Sequence, residues 1–210
     1  MMTLLILFIL FIGAYSGYKN GVILQLLKTI GYVIALIFAF DYYRPLSEYL
    51  FLLVPYPTPF LPEGNPYYFY DERFILTLSM SYYYLISFLL IFFIGWLVVR
   101  FLAKLISYTV NQFEAPEPFS GIGGSVLGAV VNYVGIFYIL FFLSLIPYDV
   151  VQEQIADSFV ARTMLTSTPK LTNSNYQRFI VETYEEVEEE RSPLTIEPFL
   201  KEEKEEGNEE

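Results

Sequence analysis

An uncharged run of 26 residues, 121–146, restricts the possible folds of this chain more than any other feature of its sequence. Glycines punctuate its first half, and Phe, Leu and Ile crowd its second half. Because an α-helix rises 1.5 Å per residue, about 20 apolar residues span a hydrocarbon core roughly 30 Å thick. The run therefore predicts a transmembrane helix whose glycines pack closely against a neighbouring helix.

Three more apolar segments accompany this run, and hydrophobic residues make up 55% of the 210-residue chain. The predicted transmembrane helices cover residues 2–17, 22–43, 74–99 and 121–146. The first segment could instead be a signal peptide. However, it has no basic region before it and no small-x-small cleavage site, which favours a retained helix. We therefore predict an all-α integral membrane protein in which residues 1–147 form a four-helix transmembrane domain.

Small residues predict how two of these helices pack. The fourth helix carries four glycines on a common face, at Gly121, Gly124, Gly128 and Gly135. The second helix carries small residues at four-residue spacing, at Gly31, Ala35 and Ala39. Because small residues let helix backbones approach closely in a membrane, we expect these two faces to pack against each other.

Two polar residues interrupt the apolar spans. Lys28 lies about two turns into the second helix, where its side chain either reaches back to the interface or faces an internal polar cavity. The nearby helix end favours the interface. Asn132 lies one turn after Gly128 and either makes an interhelical hydrogen bond or lines a polar pathway. The hydrogen bond is the favoured interpretation.

Glycines and basic residues mark the helix ends. Gly17, Lys19 and Gly21 predict a tight polar turn after the first helix, although the Gly-x-x-x-Gly spacing also fits a close helix contact. Arg100 and Lys104 follow the third helix on a shared face. They predict a basic anchor beside anionic lipid headgroups.

The remaining segments are less apolar. Residues 44–73 are rich in Pro and Tyr and predict a loop, either ordered on the helix ends or partly re-entrant. Residues 148–190 carry apolar residues at helical spacing and predict amphipathic segments at the membrane surface. The Glu-rich residues 191–210 predict a disordered acidic tail.

Charge and missing residue types narrow the function. The net charge of −11 comes almost entirely from residues 182–210, whose 13 Glu and 3 basic residues give −10. Such a tail does not suit nucleic acid. The chain has no Cys and no His, which excludes thiol nucleophiles, disulfides, Cys/His zinc sites and Ser-His-Asp triads. We predict no catalytic, cofactor or metal site, and therefore no enzyme.

The order of these features resembles the colicin V production protein family, small multipass proteins of the bacterial inner membrane. The matching residues are Gly17, Lys19, Gly21, Arg100, Lys104, Gly121, Gly124 and Gly128. The family often has an acidic residue where this chain has Met2 and Thr3, and a basic residue where it has Val131 and Asn132. The resemblance implies a role in the production or export of a peptide toxin, or in envelope homeostasis.

Two functions are consistent with these features. The first is an accessory or scaffold protein whose helices contact copies of itself or other membrane proteins. The alternative is an oligomeric channel or transporter component for a small solute or peptide, which would use Lys28 and Asn132. In both, the chain is expected in the lipid bilayer of the bacterial cytoplasmic (inner) membrane. Basic residues divide almost evenly between the two sides of the membrane, with Lys19, Arg100 and Lys104 on one side and Arg44, Arg73 and Arg162 on the other. The compact segments at Lys19 and Arg100, which lack interposed acids, favour a cytoplasmic location for that end, with both termini outside.

Overall fold

The computed structural model describes residues 2–57, 67–75, 77–110 and 118–189. Four long helices come first: α1 (Met2–Asn20), α2 (Val22–Leu53), α3 (Leu78–Val110) and α4 (Phe119–Ser144). Three short helices follow: α5 (Asp149–Asp157), α6 (Phe159–Ser167) and α7 (Pro169–Tyr176). The chain continues from α7 through a π-helical stretch, Gln177–Val181, into helical residues 182–189. These described residues contain helices and no strand, which confirms the all-α fold class.

The four long helices are the membrane-spanning elements. Each is long and apolar enough to cross a bilayer. Large apolar side chains on their outer faces, such as Leu4, Phe8, Val33 and Phe93, are at least half exposed. Side chains of this kind match lipid rather than water. The chain is therefore a multipass membrane protein.

The helices form two antiparallel pairs. α1 packs along α4, α2 packs along α3, and a narrower contact between α2 and α4 joins the pairs. One end of the bundle holds Lys19, Lys28, Arg100 and Lys104, and we call it the basic end. The opposite end holds the segment between α2 and α3 together with α5–α7, and we call it the tyrosine end.

An aromatic core closes the tyrosine end. The ring of Phe88 on α3 lies 4.8 Å from Phe40 on α2 and 4.7 Å from Tyr138 on α4. Phe179, from the π-helical stretch, is fully buried against them, with its ring 5.7 Å from Phe88 and 5.2 Å from Tyr43. The helices after α4 therefore share a core with the spanning helices and do not merely lie beside them.

α2 extends beyond its predicted end at residue 43, so the predicted loop does not begin at residue 44. Pro45 lies inside the helix and removes only one backbone hydrogen bond, while Ser47 Oγ donates to the carbonyl of Arg44 at 2.6 Å. The helix ends at Leu53, and the amide of the following residue, Val54, donates to the carbonyl of Leu50 at 2.9 Å. At 1.5 Å per residue α2 is about 48 Å long, so it projects past a core of roughly 30 Å.

The other helices also differ slightly from their predicted bounds. α3 begins at Leu78 and continues past its predicted end at residue 99 as far as Val110. α4 begins at Phe119 and ends at Ser144, two residues before the predicted end. Part of the proline-rich segment, residues 58–66, and the predicted tail, residues 191–210, lie outside the described residues.

Candidate functional site

Glycines bring the backbones of α1 and α4 into direct contact. A Cβ atom on Gly124 would lie 2.9 Å from the carbonyl carbon of Gly21 and would overlap the carbonyl oxygen of Gly17. A Cβ atom on Gly128 would lie 3.0 Å from the Cα atom of Gly17 and would overlap the carbonyl oxygen of Gly13. These are backbone atoms, which cannot move aside as a flexible side chain would. Only glycine fits at this contact, which we call the glycine interface.

The turn between α1 and α2 is narrower than predicted. α1 continues to Asn20, and Gly21 alone links the helices, with a φ of 74° that favours glycine. Gly21 therefore forms a turn as predicted, whereas Gly17 lies inside α1, and both glycines also make the close contact with Gly124 that their spacing allows. The turn is fixed to α4 because the amide of Val22 donates to Ser120 Oγ at 3.3 Å.

The predicted partner of the α4 glycines is wrong. The small residues of α2 instead pack on α3: a Cβ atom on Gly31 would lie 2.8 Å from the methyl groups of Val99, and one on Gly95 would lie 2.6 Å from Cβ of Ala35. Ala39 is fully buried in the aromatic core. Each small-residue face fits several partners, and the glycines of α1 offer the α4 glycines a closer approach than the alanines of α2.

Two further glycines differ in their surroundings. A Cβ atom on Gly121 would meet the ring of Tyr18 at 2.8 Å, so this glycine does belong to the α1–α4 contact. Gly135 has nothing within 4 Å of where its Cβ would lie, so its predicted role in packing is wrong. Gly13, which the sequence analysis missed, extends the Gly17/Gly21 spacing by one further step of four residues.

Asn132 packs across the glycine interface but keeps its hydrogen bond within α4. Its Nδ2 atom donates to the carbonyl of Gly128 at 2.9 Å, in place of the favoured interhelical bond. A Cβ atom on Gly13 would lie 2.8 Å from Cβ of Asn132 and would overlap the amide group. The absence of a side chain at Gly13 thus makes the space that Asn132 fills.

Cations and aromatic rings meet at the basic end. The Lys19 ammonium lies 4.9 Å from the centre of the Tyr15 ring on α1, and the Arg100 guanidinium lies 5.0 Å from the Trp96 ring on α3. Lys28 on α2 is half-buried and near enough to Arg100 for the two charges to repel each other. Lys104, one turn after Arg100, is exposed. Such rings and cations are typical of headgroup depth.

Tyrosine hydroxyls hold the tyrosine end together. The Tyr70 hydroxyl lies 2.8 Å from Ser144 Oγ, and the Tyr56 and Tyr67 hydroxyls lie 2.5 Å apart. The Tyr83 hydroxyl donates to the carbonyl of Val54 at 2.8 Å. Burial raises the pKa of Tyr56, Tyr67 and Tyr70 above the ordinary tyrosine value. These phenols therefore stay neutral and serve as hydrogen-bonding groups.

Gln152 on α5 completes this network, and the sequence analysis did not single it out. Its Nε2 atom donates to the carbonyls of Ser144 at 3.0 Å and Ile146 at 2.8 Å. Its Oε1 atom accepts from the amide of Tyr68 at 3.2 Å. A single side-chain amide thus provides hydrogen-bond partners for backbone carbonyls at the C-terminal end of α4 and for a backbone N–H in the segment before α3. No local sequence signal marks this residue, because its partners lie in different parts of the chain.

The described residues contain no group of three or more acidic side chains placed to hold a metal ion. The buried hydroxyls of Ser81, Ser87 and Thr183 each donate to the backbone carbonyl four residues earlier in the chain. They therefore donate to backbone carbonyls and are not positioned as nucleophiles.

A recess of about 110 Å³ lies between Met2 and Asp157, where Thr3 Oγ1 and Ser158 Oγ lie 2.8 Å apart.

The fold and these contacts define a class: a small multipass membrane protein with two antiparallel helix pairs and a helical cap at one end. The cap consists of α5–α7 and the helical residues 177–189 that follow them. The chain belongs to the colicin V production protein family, whose model matches residues 2–169. It is similar to a protein of Bacillus subtilis (strain 168) described as an uncharacterized transmembrane protein, YshB. The two are 27% identical over 172 residues, which cover 82% of this chain and 93% of the relative. No solved structure matches the chain.

Proposed function

We propose that this chain is a non-enzymatic accessory or scaffold protein of the cytoplasmic membrane. It supports the production or secretion of a peptide toxin, or the integrity of the envelope, by contacting copies of itself or other membrane proteins. The observation that carries this proposal is that the buried polar side chains form hydrogen bonds within the fold. Among the buried side-chain nitrogen and oxygen atoms of the described residues, only Thr172 Oγ1 lacks a hydrogen-bond partner. The polar groups therefore support the fold rather than chemistry on a substrate.

The glycine interface limits where a partner can bind. Gly121, Gly124 and Gly128 of α4 are covered by α1 of the same chain, so they offer no face to another protein. The outward side of α1 is one of the apolar faces that remain, with Leu4, Phe8 and Phe11 more than 60% exposed. We propose that other membrane proteins contact this face.

The proposal includes an orientation with the basic end in the cytoplasm and both termini outside. At the basic end, the described residues carry Lys19, Lys28, Arg100 and Lys104 and no acidic side chain. At the tyrosine end, Arg44 is paired with Glu186 at 2.8 Å and Arg73 with Asp71 at 3.7 Å. Basic residues close to the ends of spanning helices favour the cytoplasmic side, and Arg162, Lys170 and Arg178 of the tyrosine end lie farther along the chain from those ends.

A gene-deletion experiment tests the function. The strain that lacks this chain is expected to export less peptide toxin or to become sensitive to detergents, and the full-length chain is expected to restore the parental level. A variant with Leu4→Ala, Phe8→Ala and Phe11→Ala should reach the membrane in normal amount and fail to restore it. The proposal would be overturned by a deletion strain that matches the parent in both toxin export and detergent resistance.

A second candidate, an oligomeric channel or transporter component, rests on Lys28 and Asn132. They lie at different helix pairs, because Lys28 is beside α3 and Asn132 covers Gly13 of α1. A pathway that uses both would therefore need a second copy of the chain. The purified chain in liposomes, assayed for solute and ion flux beside Lys28→Leu and Asn132→Leu variants, separates the candidates. Flux that both variants abolish would replace the scaffold proposal.

A further inference from the structure

Two neighbouring cations at the basic end lack a counter-charge within the described residues. Lys28 on α2 is half-buried, and its charge is repelled by that of Arg100 on α3. The ion pairs that the described part of the chain contains, Arg44–Glu186 and Arg73–Asp71, both lie at the tyrosine end. The partly buried charge of Lys28 costs free energy unless an opposite charge accompanies it, and the exposed Arg100 adds a second positive charge beside it. The arrangement therefore calls for an anion.

The helices hold these cations at a fixed separation. One turn after Lys28, a Cβ atom on Gly31 would lie 2.8 Å from the methyl groups of Val99, so α2 and α3 are in close contact there. Arg100 directly follows Val99. The two cations thus project from rigid helices that are fixed by packing, and this pre-organisation reduces the entropic cost of binding a ligand.

Aromatic side chains frame the cations at the level of the lipid headgroups. The guanidinium of Arg100 lies 5.0 Å from the ring centre of Trp96, one turn earlier on α3. Tyr32, one turn after Lys28 on α2, is half-buried and lies within the electrostatic reach of Arg100. Tryptophan and tyrosine prefer the region between headgroups and acyl chains. Each helix therefore contributes one cation and one interfacial ring beside the contact between α2 and α3.

From this geometry we infer that the groove formed by Lys28, Tyr32, Trp96 and Arg100 binds the phosphate of an anionic phospholipid. Arg100 offers parallel N–H donors to two phosphate oxygens, and Lys28 adds a point charge. Basic pockets between transmembrane helices bind anionic headgroups in this way. The neighbouring Phe93 and Leu97 are 54% and 46% exposed on the outer surface of α3, where acyl chains would lie. These apolar neighbours favour a lipid over a free phosphate ion.

Native mass spectrometry of the full-length chain tests this site. The protein is purified, stripped of lipid in mild detergent and titrated with phosphatidylglycerol or with phosphatidylcholine of the same acyl chains. We expect one phosphatidylglycerol to bind per chain at least about tenfold more tightly than phosphatidylcholine, which corresponds to about 1.4 kcal/mol. The double variant Lys28→Gln, Arg100→Gln should lose this preference. Competition with inorganic phosphate separates a lipid site from a phosphate site.

A matched control is available at the same end of the bundle. Lys19 lies over Tyr15 on α1, outside the groove, so Lys19→Gln removes a cation without touching the site. If Lys19→Gln weakens binding as much as the double variant does, any positive charge at the basic end attracts the lipid. The inference of a specific site is then wrong. The inference is equally overturned if phosphate at millimolar concentration displaces the lipid. Variants are compared only if their melting temperature in detergent matches that of the wild type. Otherwise they are compared by the ratio of the two lipid affinities alone, which does not depend on stability.

The sequence offers an internal alternative to a lipid. Glu114 and Glu117 follow α3 in the stretch that lies outside the described residues. If these glutamates neutralise the cations, the wild-type chain will bind no phosphatidylglycerol selectively and a Glu114→Gln, Glu117→Gln variant will. That result would overturn the inference. Equal binding by this variant and the wild type supports it.

Discussion

A Cβ atom on Gly128 would lie 3.0 Å from the Cα atom of Gly17, so α1 and α4 meet backbone to backbone. At this distance the helices gain dispersion contacts that no larger side chain permits. α1 makes its main contact with α4 and only narrow contacts with α2 and α6. The position of the first helix therefore depends mainly on a few glycines.

The first prediction concerns these glycines. Gly124→Leu and Gly128→Leu should each destabilise the chain by about 1–3 kcal/mol or more, because the added atoms would overlap backbone atoms of α1. Gly135→Ala should be neutral or stabilise by about 0.5–1 kcal/mol, because nothing lies within 4 Å of its Cβ position and alanine favours a helix. Thermal unfolding in detergent measures both. Equal losses for Gly124→Leu and Gly135→Ala would contradict the prediction.

The second prediction concerns the cap at the tyrosine end. Phe179→Ala should cost about 3–5 kcal/mol, because it leaves a cavity between Phe40, Tyr43 and Phe88. It should also expose the chain after α6 to limited proteolysis. Phe159 is 70% exposed and is the matched control, since Phe159→Ala removes the same side chain without opening the core. A wild-type proteolysis pattern in Phe179→Ala would show that the cap does not depend on this ring.

Part of this arrangement was predictable from sequence because it is periodic. Long uncharged runs predict spanning helices, since each must satisfy its backbone internally within the lipid. The steps of four residues at Gly124 and Gly128 predicted a close helix contact, which the structure confirms. The identity of the partner helix was not predictable, because Gly31 and Ala35 show a similar pattern. Choosing between them requires the three-dimensional arrangement of all four helices.

Residues that act through distant partners left no signal in the sequence. Gln152 bonds Ser144, Ile146 and Tyr68, and its local context is an ordinary amphipathic helix. Phe179 lies in a polar region of the sequence, yet it fills the core between the spanning helices. The helical content of α2 beyond residue 43 was also not predictable, because the proline-rich composition of residues 44–73 favours a loop although Pro45 itself removes only one hydrogen bond.

The third prediction concerns pH. Burial raises the pKa of Tyr70, so the folded chain holds this proton more tightly than the unfolded chain, whose tyrosines titrate near about 10. The resulting stability is present below that value and is lost as the pH rises above it. The melting temperature should therefore fall as the pH rises above about 10, and Tyr70→Phe should reduce the fall. Tyr68→Phe, on an exposed ring, should leave it unchanged.

The fourth prediction concerns the ion pair between Arg44 and Glu186. Both side chains are 44% exposed, so the pair should contribute no more than about 0.2–1 kcal/mol although its atoms lie 2.8 Å apart. Glu186→Gln should lower the melting temperature slightly at low salt and not at high salt, because mobile ions screen an exposed pair. Glu188→Gln, on an exposed neighbour, is the control. A large loss that persists at high salt would show that this pair is a main anchor of the cap.

The fifth prediction concerns orientation, and the absence of native cysteine makes it simple to test. A cysteine in place of Asn20 marks the basic end, and one in place of the exposed Thr163 on α6 marks the tyrosine end. The reagent is a maleimide that passes the outer layers of the cell envelope but does not cross the cytoplasmic membrane. If the basic end faces the cytoplasm, this maleimide, added to intact cells, should label Thr163→Cys and not Asn20→Cys. Both should be labelled after the membrane is opened. If Asn20→Cys is labelled in intact cells and Thr163→Cys is not, the basic end faces outward and the proposed orientation is wrong. It would also move the predicted lipid site at Lys28 and Arg100 to the outer leaflet.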